Sequence, residues 1–208
     1  MARSNIPKII HQIWLGPNPR PVAWMDTWKH KHPDWQYQLW TDSHLPKLHN
    51  QKQFDLINSY PGKADILRLE VLFQYGGIYI DADSECLQPL DPLLRYHFFA
   101  CYENEVTRPG LIANGVMGSE PLHALLYANM NEVKKISNIN ANKAWIITGP
   151  LLFTKVIHEY EVFNKPIKKL PSHNFFPEHY SGYQYAGKGK IYAREHWQST
   201  KIELNLAG

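Results

Sequence analysis

The 208 residues are enough for one substantial hydrophobic core, whereas two domains would each be small. A hydrophobic fraction of 44% with 20% charged residues is that of a soluble globular protein, and a net charge of +3 is too small to argue for nucleic-acid binding. Two cysteines, Cys86 and Cys101, indicate neither a disulfide framework nor a four-ligand zinc site.

Lys8 to Trp14 (KIIHQIW) reads as a first buried strand, stopped by Gly16-Pro17-Asn18-Pro19. Pro21 to Lys31 suits a short helix with proline in its first turn, and Trp35 to Thr41 alternates as a second strand. Asp42 or Ser43 is then placed to cap a helix running toward Asn58. From Gly62 to Tyr75, Ile66, Leu69, Leu72 and Phe73 recur at helical spacing, with Gly76 placed to end the helix and a strand running on to Asp81. Phe98 to Tyr102 and Leu111 to Gly118 read as further strands, and Pro121 to Lys135 as a helix followed by the polar loop SNINAN. Thr148 is a plausible cap for a helix opening at Pro150, PIKKL suits a short strand, and KIYAREHW begins as another. No internal repeat or linker interrupts this pattern. Alternating strands and helices predict a single α/β domain over residues 1–208 with a mostly parallel sheet, its ligand site at the carboxyl ends of the strands.

The chemistry concentrates in ADILRLEVLFQYGGIYIDAD. Residues two apart on an extended chain point the same way, so Asp81 and Asp83 aim two carboxylates at one point past a buried strand end. Hard divalent cations favour such oxygen ligands, and a diphosphate can complete the shell. Asp65 and Arg68, three residues apart, share one helix face. An ordinary helix ion pair is the alternative for these two, and a solvated strand end the alternative for the aspartates.

These segments, with IPKIIHQIW and TGP, resemble the Asp-x-Asp glycosyltransferases of family 32, over roughly residues 6 to 155 and more faintly to about 200. The resemblance implies a GT-A, Rossmann-like nucleotide-sugar-binding domain with its core over residues 6–155 and residues 156–208 closing the site. It also implies Mn²⁺ or Mg²⁺ as cofactor, a UDP- or GDP-linked sugar donor and retention of the donor's anomeric configuration. By that resemblance Trp14 stacks on the nucleotide base, with core packing as the alternative. Asp65 and Arg68 hold the donor sugar's hydroxyls and nearby phosphate, and Tyr79 lies beside the donor. Asp81 contacts ribose and metal-bound water, Asp83 is the direct metal ligand, and Asn114 sits near the donor sugar. His196, Trp197 and Ser199 match a C-terminal segment that closes over the diphosphate, but Lys201 and Ile202 stand where the family's fuller form has a second tryptophan.

Other classes fit less well. A haloacid-dehalogenase-type phosphatase places its Asp-x-Asp near the N-terminus with Thr or Val two residues later, whereas here Glu85 follows Asp83. A calcium loop needs glycine at the sixth position, which is Cys86. The remaining rival is a catalytically silent nucleotide-sugar-binding module of the same fold. Residues 105–208 carry 12 Lys and Arg against 8 Asp and Glu, which suits an anionic substrate, an anionic membrane surface or plain solvation. No apolar run approaches the roughly 18 residues that span a bilayer, and MARSNIPKII lacks a signal-peptide core. The expectation is therefore a cytoplasmic enzyme, at most peripheral to the inner membrane face. It would move a hexose-type sugar to a saccharide or glycolipid acceptor in surface polysaccharide or glycan synthesis, with no nucleic-acid partner.

Overall fold

The computed structural model of the protein describes residues 5–164, 166–198 and 200. Strands β1 (Ile9–Ile13), β2 (Gln36–Trp40), β3 (Gly77–Ile80), β5 (Phe98–Asn104), β6 (Arg108–Ser119) and β7 (Lys168–Leu170) build one sheet. Their order is β2–β1–β3–β6–β5–β7, with β6 alone running against the others, so the sheet is mostly parallel as the alternating pattern predicts. A second, two-stranded ladder pairs β4 (Ser84–Cys86) antiparallel with β8 (Ala193–Glu195). The helices are α1 (Val22–Lys31), α2 (Gln51–Leu56), α3 (Tyr60–Tyr75), α4 (Ala124–Lys134), α5 (Ala144–Ile147) and α6 (Pro150–Phe163). No helix among the described residues is long and apolar enough to cross a membrane.

Successive strand residues feed two apolar clusters, one on each face of the sheet. Tyr79, Phe98, Ala100, Ile112 and Met117 pack with the helices α3, α4 and α6, while Ile78, Ile80, Phe99, Cys101 and Val116 pack with Trp28 of α1 and with Leu90 and Phe175. Helix α3 is buried along most of its length, which its dense apolar run Ile66-Leu67, Leu69 and Val71-Leu72 explains. Ser59 caps it through Gly62 N–H at 3.3 Å. It ends at Gly76 (φ +64°), and β3 starts at Gly77 (φ +102°) with no loop between. A Cβ at Gly77 would lie 2.7 Å from the Ile9 carbonyl, so the turn and the close strand approach both require glycine.

Three local expectations need correction. No helix starts at Asp42 or Ser43: Thr41 and His44 form an isolated bridge, and α2 begins only at Gln51. Pro46 accounts for this, since it offers no N–H and disfavours helical backbone at Leu45. The segment is held instead by buried Glu70, whose carboxylate accepts the His49 and Asn50 backbone N–H groups at 2.9 and 2.8 Å. Helix α4 begins at Ala124 rather than Pro121, with the His123 ring accepting from Leu125 N–H at 3.2 Å. Thr148 does not cap α6; Gly149 holds that position without a side-chain bond, and the threonine hydroxyl is used elsewhere.

His11 of β1 is buried between strand and helix end. The Trp40 indole can only donate, and its N–H meets His11 Nδ1 at 3.1 Å. Nδ1 is therefore an acceptor, and Nε2–H donates to the Gly76 carbonyl at 2.8 Å. Burial lowers the imidazole pKa from 6.5 to about 4, the Gly76 bond only partly opposing it. The unfolded chain then binds more protons between those values, so the His11 contribution to stability is complete above pH 6.5 and is lost as pH falls toward 4. The expected loss is roughly 2 kcal/mol by pH 5. Urea unfolding at pH 7 and pH 5 should show that excess loss relative to His11→Gln; parallel losses in the two proteins would refute it.

Candidate functional site

The spacing of the central segment follows from two rises. From Asp65 to the end of α3 the helix climbs about 15 Å, and from Gly77 back to Asp81 the strand covers about 13 Å. With a glycine turn between them, the start of α3 and the end of β3 come level. Arg68 is the junction. Its Nη2 lies 3.4 Å from Asp65 Oδ1 and 3.3 Å from Asp81 Oδ1. Nη1 donates to the Asn114 carbonyl at 2.7 Å and Nε to the Ala64 carbonyl at 3.2 Å, and the guanidinium sits 4.5 Å over the Tyr79 ring. Most of its five donors are thus committed within the protein. Arg68 orients two carboxylates more than it waits for a phosphate.

Asp65 is held on both oxygens, by Asn114 Nδ2 at 2.8 Å and by Thr148 Oγ1 at 3.0 Å. Burial raises its pKa to about 6 against the opposing pull of Arg68. Asp81 accepts from the Tyr79 hydroxyl at 2.5 Å, and its carbonyl accepts from Gln12 Nε2 at 3.2 Å. Burial pushes the Asp81 carboxyl up, and Asp83 beside it adds to that. Glu195, from β8, is driven well above the ordinary carboxylate range by burial and then by Asp83 and Asp81.

All four acidic residues line one cavity of about 570 Å³, together with Arg68, Asn114 and Trp197. Among the described residues no group of three or more His, Cys, Asp or Glu side chains is arranged to hold a metal ion by itself. Asp81 is tied to Tyr79 and Arg68, and Asp83 Oδ2 already accepts Gln198 N–H at 2.7 Å. Crowded, mutually repelling oxygen donors with few free positions suit a hard divalent cation that completes its shell from a diphosphate and water.

The other sequence candidates fall in three places. Asn114 and Trp197 line the cavity; Tyr79 lies beneath Arg68 and reaches the site through its hydroxyl. Trp14 ends outside the cavity lining, its indole donating to the Asn18 carbonyl at 2.8 Å. His196 also stays out of the lining: its ring stacks on Trp24 of α1 at 4.0 Å, with Nε2 3.3 Å from Glu85. What touches Asp83 is the backbone of that segment, His196 N–H to the Asp83 carbonyl at 3.0 Å and Gln198 N–H to its carboxylate. Ser199, Lys201 and Ile202 lie outside the described residues.

Residues 20–99 match the family described as "Glycosyltransferase sugar-binding region containing DXD motif". The chain is 30% identical to inositol phosphoceramide mannosyltransferase 1 of Schizosaccharomyces pombe over 81% of its own length and 57% of that protein. The chain carries the sugar-binding region of the Asp-x-Asp glycosyltransferases and is similar to members of that family over most of its length. It spans about half the length of the curated relatives it matches. Among solved structures, PaToxG glycosyltransferase superposes with a TM-score of 0.61 at 19% identity, over 76% of this chain and 70% of that one. The UDP-bound glycosyltransferase domain of the YGT toxin gives 0.58 at 10% identity, over 98% and 87%. At those identities the likeness establishes the shared glycosyltransferase fold, which is the GT-A architecture expected from the sequence.

Within this candidate site, three contributors escaped sequence reasoning. Glu195 comes from a three-residue strand more than a hundred positions from Asp83, with no local pattern to mark it. Thr148 stands out as a cap and within the TGP segment, with no role at the site assigned to it. Gly115 is the third: a Cβ there would stand 2.5 Å from Asp81 Oδ2, so the β6 floor must be bare for the carboxylate to hold its position. Gly115→Ala should weaken Mn²⁺-dependent UDP or GDP binding by about tenfold or more, with little change in thermal midpoint. Titration calorimetry beside thermal melting checks this; undiminished nucleotide affinity would remove the crowding argument.

Proposed function

We propose that this chain is a metal-dependent glycosyltransferase that moves a hexose from a nucleoside-diphosphate sugar to a saccharide or glycolipid acceptor. The observation that carries the reading is the convergence of Asp65 and Arg68 with Asp81, Asp83 and Glu195 in one cavity at the carboxyl end of β3. Mn²⁺ or Mg²⁺, held by Asp83 with Asp81 and Glu195 near it, would supply charge neutralisation for the departing nucleoside diphosphate. Asp65 accepts the donor sugar's hydroxyls, being an oxygen acceptor already fixed in orientation by Asn114 and Thr148. Arg68 holds that carboxylate and Asp81 at a set separation. Trp197, at the wall of the cavity, closes over the donor, and its ring is anchored by a 2.7 Å bond to the Glu178 carbonyl.

The name of the fission-yeast relative supports mannose as the first sugar to test and an inositol-bearing glycolipid as one acceptor class; the UDP-bound neighbour supports including UDP donors. Retention of anomeric configuration belongs to the same reading and is read directly by NMR of the first-formed product. Nucleoside diphosphate release is measured from a panel of UDP- and GDP-sugars with Mn²⁺, Mg²⁺ or EDTA. One donor should be hydrolysed slowly in a metal-dependent way, and Asp83→Ala should reduce that at least a hundredfold. Asp83→Asn separates two roles, since its amide oxygen still accepts Gln198 N–H while its charge is gone; it should be nearly as inactive as the alanine variant. Full turnover in folded Asp83→Asn would defeat the metal role, and donor binding without any release would favour the silent binding module.

A further inference from the structure

Glu103, at the end of β5, is 5% exposed and also lines the cavity. Strand β6 lies between β5 and β3, so Glu103 stands two strand spacings from Asp81, on the order of 10 Å across the sheet. The floor between them is the stretch Ala113-Asn114-Gly115. One oxygen of Glu103 is partnered. His179 Nδ1 accepts Ser181 N–H at 3.3 Å, which leaves Nε2–H facing Glu103 Oε1 at 3.3 Å, and Arg108 Nε lies 4.0 Å from the same oxygen. Among the described residues no hydrogen bond reaches Oε2. The spare oxygen of a carboxylate that lines a cavity is free to accept from a hydroxyl that displaces water there.

Trp145 of α5, 37% exposed, lines the same cavity. Arg108 packs 5.5 Å over its ring and donates to the Tyr180 hydroxyl at 2.7 Å, which steadies the indole. This end therefore offers an acceptor oxygen for hydroxyl groups and an aromatic plate for an apolar C–H face. It lacks the clustered carboxylates of the Asp81–Asp83 end.

We propose that Glu103 and Trp145 form an acceptor subsite that takes a saccharide or cyclic polyol, Glu103 accepting its hydroxyls and Trp145 covering one ring face. This rests on the transferase reading above. In it, the donor occupies the Asp65–Asp83 end and the acceptor hydroxyl approaches over Asn114 and Gly115. Glu103 is a positioning residue for the acceptor and plays no part in holding the donor.

The test uses the donor that the wild-type chain hydrolyses with Mn²⁺. Nucleoside diphosphate release is followed against rising methyl α-D-mannopyranoside, methyl β-D-galactopyranoside and myo-inositol. At least one should accelerate release, and Glu103→Gln should raise its KM about tenfold or more while kcat moves far less. Trp145→Ala, at an exposed position where truncation leaves the core untouched, should raise the same KM. An unchanged KM in both variants, or no acceleration by any of the three compounds, overturns the subsite. Absence of donor hydrolysis in the wild type would instead strike the transferase reading on which it rests.

Discussion

A guanidinium cannot shed its charge, and Arg68 is buried. That constraint organises the centre of the molecule. Burial opposes the charge, and the protein answers it with Asp81, Tyr79 and Asp65. Each of those groups sits on a different element or a different turn, so satisfying Arg68 fixes α3 against β3, and its bond to the Asn114 carbonyl fixes both against β6. A buried ion pair of this kind is a poor source of net stability, because desolvation consumes most of the attraction. Its effect is geometric: the guanidinium holds the Asp65 and Asp81 carboxylates at set positions on either side of it.

The charge count of the cavity goes further. Asp65, Asp81, Asp83, Glu103 and Glu195 line it together with Arg68 and Lys143. Burial and mutual repulsion raise Glu195 and Asp81, so the site resists holding all its carboxylates ionised at once. A diphosphate entering alone would meet that same excess of acid. A divalent cation held by these carboxylates would favour their ionised form and would supply the neutralising charge that a diphosphate needs.

The segment from Asp65 to Asp83 was legible because its information is local. Helical period, double glycine and two-residue alternation each specify geometry within a few positions, and the two rises then bring the parts together. Residues whose role depends on distant pairing were not legible. Glu195 enters the cavity because Ala193–Glu195 pairs with Ser84–Cys86, and Glu103 because a hairpin between β5 and β6 carries it there. Trp145 lies on a four-residue helix too short to show a period. Thr148 illustrates a subtler limit: its position before Gly-Pro fits a cap, but a buried carboxylate within reach makes a stronger claim on its hydroxyl. His196 fails differently, since an adjacent pair in sequence turns its two rings to opposite sides, one onto Trp24 and one into the cavity.

The C-terminal segment ties that divergence back to Asp83. Trp197 adopts φ +55°, a left-handed conformation that costs a bulky residue roughly 1–2 kcal/mol. The strain is offset on both sides, by His196 and Gln198 donating to Asp83 and by the Trp197 indole donating to Glu178. The reversed backbone is what sends His196 outward and Trp197 inward. Asp83 therefore anchors the segment through its carbonyl and Oδ2, and among the described residues no backbone group claims Oδ1. A carboxylate pinned in this way cannot rotate freely, so whatever Oδ1 binds is held at a fixed place relative to the Trp197 ring. The same residue thus joins the wall of the cavity to its charge.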